Sequence, residues 1–292
     1  MKKKGKVFIA GILGIVLLFG GIIGLLIQNA SKGTLVPSNF EERQITYGET
    51  ESKYVPKGPY EVSSEDKDSL EIWLPVSSSK VPCIIFLNGT GAKAEQYSPL
   101  FRHIASYGYA VIGNNYTDAM KAEEESLRLA REYSSKIDEN KIVIAGHGEG
   151  AYRAIRAASA SDAYAAAVCF SLYGKTMIES NGLEMYDFES LKCPVMMISG
   201  AEGIDEDSVL PEEEMKQLCE KIPADCTMIA LKRSDSDYGE TVWRGEPYAL
   251  AWLSAVVQND PDGRKAFYAE DAEILENPLW KVIARNEGEF HE

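Results

Sequence analysis

An α/β fold built on one mainly parallel sheet, with helices on both faces, is predicted by three observations. Short apolar runs such as 81–87 and 142–145 end in glycine-containing turns, as buried parallel strands do. Helical patterns separate these runs along most of the chain. The 292 residues are 45% hydrophobic, enough for a sizeable core in one domain.

The chain begins with a basic tail, 1–6, carrying Lys2, Lys3, Lys4 and Lys6. Residues 7–27 are uncharged and mostly apolar, a length that crosses a bilayer as a helix. The run is longer than the core of a cleaved signal peptide, and Gln28-Asn29-Ala30 is a poor cleavage site, so a retained signal anchor is expected. The lysines place the short tail in the cytoplasm and the rest of the chain outside, a single-pass cell-membrane arrangement. Gly20 and Gly24 have small-xxx-small spacing, which ordinary membrane helices also show. Residues 28–44 are polar and read as a tether, which leaves 45–292 as one extracytoplasmic domain.

Net charge is −15, and since the four amino-terminal lysines contribute +4, the chain beyond residue 27 carries −19. So acidic a domain excludes nucleic acid as a partner and disfavours adhesion to anionic lipid heads. The five cysteines show no Cys-x-x-Cys or Cys/His metal spacing. Cys83 and Cys169 lie in apolar runs and read as core thiols, whereas Cys219 and Cys226 flank a short loop and are left open as a pair. No cofactor and no metal is expected.

Within the domain, 69–74 alternates like a half-exposed strand, and 81–87 leads into Asn88-Gly89-Thr90-Gly91. Residues 97–107 form a predicted helix closed by Gly108, followed by a strand at 109–112. A long helix is expected over 118–137 with Asp118 as N-cap. Further strands are expected at 165–172, 194–199 and 227–231, and helices at 211–221 and 241–258. Trp73, Trp243, Trp252 and Trp280 occupy apolar positions and read as core.

The most informative segment is Ile142-Val-Ile-Ala145 followed by Gly146-His147-Gly148-Glu149-Gly150 and an alanine-rich helical stretch. This is the strand–turn–helix setting of a nucleophile elbow, Gly-x-Ser-x-Gly. Together with the 81–91 and 97–112 segments and the run 237–252, it resembles the α/β-hydrolase superfamily. The likeness is greatest to dienelactone hydrolase- and cutinase-like bacterial esterases, over roughly residues 54–280.

That resemblance implies a serine, an acid and a histidine in chain order, each mapped here onto one position. The serine position is Gly148, which has no attacking atom. The histidine position is Tyr238, in Asp-Tyr-Gly where the family has Asp-His-Gly. Only His291, on a charged tail, follows the elbow, and a phenol is a poor base near neutrality. Asp205 is the favoured acid position, with Glu202 and Asp207 competing. The resemblance also implies an oxyanion hole from the backbone N–H groups of Thr90 and Glu149, although Asn88–Gly91 reads equally well as a tight loop kept for folding. His147 reads as a packed neighbour of the elbow. The acids Asp205, Glu206, Asp207, Asp235, Asp237 and Glu240 read as solvated rather than metal-binding.

The favoured function is therefore a membrane-anchored, hydrolase-like pseudoenzyme that binds a small acyl or carboxylate ligand, or a protein partner, outside the cell. One alternative is an active hydrolase of esters or related acyl substrates using a substitute nucleophile, Ser171 or Ser199. The other is an envelope scaffold with no ligand.

Overall fold

The computed structural model describes residues 35–116, 118–203, 205–232 and 239–286. The expected membrane span, Tyr238, Asp235, Asp237 and His291 lie outside them. No helix among the described residues is long and apolar enough to cross a membrane.

Nine strands form one sheet: β1 (Val62–Lys67), β2 (Leu70–Pro75), β3 (Val81–Leu87), β4 (Ala110–Asn114), β5 (Ile137–His147), β6 (Ala166–Phe170), β7 (Val195–Gly200), β8 (Cys226–Leu231) and β9 (Trp280–Asn286). Their order is β1-β2-β4-β3-β5-β6-β7-β8-β9. β4, β3, β5, β6, β7 and β8 run parallel, while β1 and β2 at one edge and β9 at the other pair antiparallel. Parallel strands need crossovers, and the helices supply them. They are α1 (Phe40–Arg43), α2 (Glu49–Tyr54), α3 (Ser98–Ser106), α4 (Ala119–Glu132), α5 (Glu149–Ala160), α6 (Lys175–Ser180), α7 (Glu212–Cys219), α8 (Glu240–Gln258), α9 (Pro261–Tyr268) and α10 (Glu273–Glu276).

Strand alternation divides the core in two. Cys83, Ile85 and Leu87 of β3 join α4, α5, α6 and α7 on one face. Ile84 and Phe86 join α1, α3, α8 and α9 on the other. All four tryptophans are buried, and all five cysteines are buried free thiols. The Cys219 and Cys226 thiols hydrogen-bond to each other.

Three differences from the sequence reading have physical causes. The helix after Asp118 ends at Glu132, not 137, and Ile137 already starts β5. Asp118 does cap it, accepting from the Met120 and Lys121 N–H groups. β1 has a polar sequence with no buried residue and survives only because β2 supplies hydrogen-bond partners. Finally, from Leu35 onward the 28–44 segment is part of the packed domain rather than a tether. Val36 and Phe40 are buried, the Val36 N–H donates to the Gln96 carbonyl at 3.1 Å, and Gln44 Nε2 donates to the Trp243 carbonyl.

Candidate functional site

Thr90, Gly148, Glu149 and Asp205 follow the carboxyl ends of β3, β5 and β7, the edge where open α/β sheets hold their ligands. β5 ends at His147 and α5 starts at Glu149, with Gly148 between them at φ 56° and ψ −116°. That conformation strains any residue with a Cβ, and glycine adopts it at little cost. Its neighbours are tightly confined. A Cβ on Gly150 would lie 2.0 Å from the Leu87 carbonyl oxygen, and one on Gly146 would lie 2.3 Å from the Gly150 carbonyl carbon. The helix therefore crosses β3 at backbone contact, and the frame of the elbow is fixed with position 148 at its apex.

Two linked hydrogen bonds hold the loop after β3 against this elbow. The Gly89 N–H donates to the Tyr97 hydroxyl at 3.2 Å, and that hydroxyl lies 2.9 Å from His147 Nδ1. Burial pushes the Tyr97 phenol well up, so it keeps its proton, and the hydroxyl and Nδ1 share a buried hydrogen bond. His147 is fully buried and thus positions the loop. Asn88 Nδ2 adds a bond to the Asn114 carbonyl at 2.6 Å. Replacing Tyr97 by Phe should cost about 1–3 kcal/mol, because it leaves buried polar atoms without a partner. Chemical denaturation of the full chain measures it, and an unchanged midpoint would contradict the assignment.

The structure brings Thr90 and Glu149 together through their side chains. Thr90 Oγ1 donates to Glu149 Oε2 at 2.8 Å and sits 3.1 Å from the Tyr173 hydroxyl. Arg153, one turn along α5, reaches Glu149 Oε1 at 3.2 Å. Glu149 is the first residue of its helix, where N–H groups have no intrahelical acceptor. A carboxylate therefore stands beside the helix end that would otherwise attract an anion.

Asp205 lies after β7 on a short π-helical turn, Asp205–Val209, and is 5% exposed. Its Oδ2 accepts from Ser171 Oγ at 3.0 Å and from the Gly200 N–H at 2.8 Å. Burial raises the carboxyl's pKa, and those two donors partly offset the rise. Ser171 Oγ also meets Thr241 Oγ1 of α8 at 2.9 Å. The contact between Ser171 and Asp205, 34 positions apart, had no signal in the sequence. Of the competing acids, Glu202 and Asp207 are exposed. Ser171 and Ser199 are 1% and 0% exposed, so neither hydroxyl is open to a substrate. Ser171→Ala should cost about 1–3 kcal/mol by stripping a donor from a buried carboxylate. A thermal melt of the variant reads this, and no shift would show that Asp205 does not depend on the bond.

The position of the base falls between the end of β8 and the start of α8, so the three mapped positions follow β5, β7 and β8 in turn. Glu240 of the acidic group pairs with Arg244. Among the described residues no three His, Cys, Asp or Glu side chains could hold a metal ion.

A family model described as Chlorophyllase matches residues 43–171, from the end of α1 through the elbow to Ser171. The match covers less than half the chain and stops before Asp205 and position 238. No individually curated protein matches the chain.

Proposed function

Given a chain that resembles the α/β-hydrolase superfamily in its sheet and its family match, we propose that it no longer hydrolyses esters and instead binds a neutral acyl ligand at the old catalytic edge. We further propose that residues 7–27 anchor it in the cell membrane with the domain outside. One observation carries the reading: the apex of the elbow is Gly148, in a conformation suited to a nucleophile but with no nucleophilic atom. Neither buried serine nearby offers a replacement.

The chemistry then limits the ligand. An oxyanion hole and binding energy without the triad give a residual acceleration of about 10³–10⁴ over water, too little for a working esterase. A free carboxylate would meet the Glu149 carboxylate, whose charge the half-exposed Arg153 offsets only in part, whereas a neutral ester carbonyl could accept N–H bonds at the same helix end without that repulsion.

The experiment uses the full chain in detergent. A fluorophosphonate probe and p-nitrophenyl acetate are each followed by intact-mass spectrometry, and short-chain methyl esters and fatty acids are compared by thermal shift. No adduct, together with a shift for esters larger than for acids, is expected. A stoichiometric acyl or phosphonyl adduct on any serine would overturn the loss of activity. The absence of any shift would overturn ligand binding and leave the scaffold reading.

A further inference from the structure

The packing of the first described residues tells where the chain enters the domain. The Leu35 carbonyl lies so close to Gly239 that a Cβ there would come within 2.2 Å of its oxygen. Gly239 directly follows position 238, where the resemblance puts the base. Val36 is bonded to Gln96, next to Tyr97, the residue that holds the loop after β3 against the elbow. The entry point is therefore on the rim of the catalytic edge, where α8 begins. Two large apolar side chains continue from it in the open, Ile45 at 51% and Tyr47 at 40% exposure.

The distance available is short. Seven residues, 28–34, separate the apolar run 7–27 from Leu35, and fully extended they reach no more than about 25 Å. A compact domain of this size is about 45 Å across, so the tether cannot let the molecule turn its opposite edge to the bilayer while this rim faces away. We infer that the catalytic edge is held against the membrane surface and takes its ligand from the bilayer, as the acyl-ester part of an uncharged or zwitterionic lipid. The charge of −19 beyond residue 27 and the carboxylate at Glu149 both oppose an anionic lipid. This inference rests on the anchored, ligand-binding reading above.

The test is made on the full chain in phosphatidylcholine vesicles. The photo-reactive residue p-benzoylphenylalanine is placed at exposed Glu95 on the rim, or at exposed Asp162 before β6 on the opposite edge. Lipid adducts are expected at Glu95 and not at Asp162. A Gly/Ser spacer of about 60 residues inserted between Lys32 and Gly33, with a mean span of roughly 40–45 Å, should abolish most of the Glu95 adduct. Carbonate extraction is run alongside. If the chain is extracted, the anchor and this inference fall together. If the chain stays in the membrane but Glu95 gives no adduct, gives no more than Asp162, or is unaffected by the spacer, the orientation alone is wrong. Ester-induced thermal shifts measured on the same protein in detergent keep ligand binding separate from both outcomes.

Discussion

The double variant Gly148→Ser/Tyr238→His should hydrolyse p-nitrophenyl acetate where the unaltered chain does not. Removing an intact triad costs about 10⁶ in kcat, and a rebuilt one with imperfect orientation should recover a part of it, a gain of the order of 10²–10³. The elbow is ready for the change, since Gly148 already holds φ 56° and ψ −116°. Placing a serine in that conformation should cost about 1–3 kcal/mol of stability. Ser171 Oγ and the Gly200 N–H both bond Asp205 Oδ2, which leaves Oδ1 to orient the new imidazole. Adding Ser171→Ala should therefore lower the activity of the double variant, because it removes a donor that favours the ionised form of a buried carboxyl. Each single variant should remain inactive, because a serine without a base and a base without a serine are equally unproductive. A folded double variant with no turnover would show that position 238, or Asp205, is not where the base or acid belongs.

How much of this was legible in the sequence follows from the range of the forces involved. The elbow was legible because glycine spacing and an apolar run are local signals, and the close approach of Gly150 to Leu87 is their three-dimensional cause. The central strands were legible because burial on both faces makes them continuously apolar, as in β3 and in the second half of β5, 142–145. The edges were not. β1 is polar on both faces and β9 alternates weakly, so each depends on a neighbouring strand that hydropathy does not reveal. The packing of Leu35 to Gln44 was hidden for a similar reason. Val36 and Phe40 are isolated apolar residues in a polar stretch, and only the surfaces of α3 and α8 make them core. At the site, the positions could be mapped, but the Thr90–Glu149 and Ser171–Asp205 contacts join distant segments and emerged only from the fold.

A further contact between distant segments sets the pH dependence of stability. His103 of α3 and Glu246 of α8, 143 positions apart, are both buried with His103 Nδ1 at 2.7 Å from Glu246 Oε1. His103 Nε2 faces the Val55 and Pro56 carbonyls at 3.0 and 3.1 Å, so that nitrogen must carry a proton. Desolvation alone would lower the histidine, but the Glu246 carboxylate outweighs it and raises His103 to about 9. Burial raises Glu246 as well, so the pair keeps one shared proton that the unfolded chain, with its histidine near 6.5, has released at neutral pH. The stabilisation is therefore complete below about pH 6.5 and is lost as pH rises through about 9, a change of roughly 2–3 kcal/mol. For a domain of this size that is a fall in Tm of about 5–10 °C over the interval. Removing one partner, in His103→Ala, should cost about 3–5 kcal/mol and flatten the profile, because the buried carboxylate is left alone. The apolar pair His103→Phe/Glu246→Leu should regain much of that loss and remain pH-independent over the same interval. Glu246→Gln gives the decisive comparison, since it keeps the shape and removes the charge. If its stability still falls between pH 6.5 and 9, some other group carries the dependence. α8 starts two residues after position 238, so this pair also fixes the helix that follows any histidine introduced there.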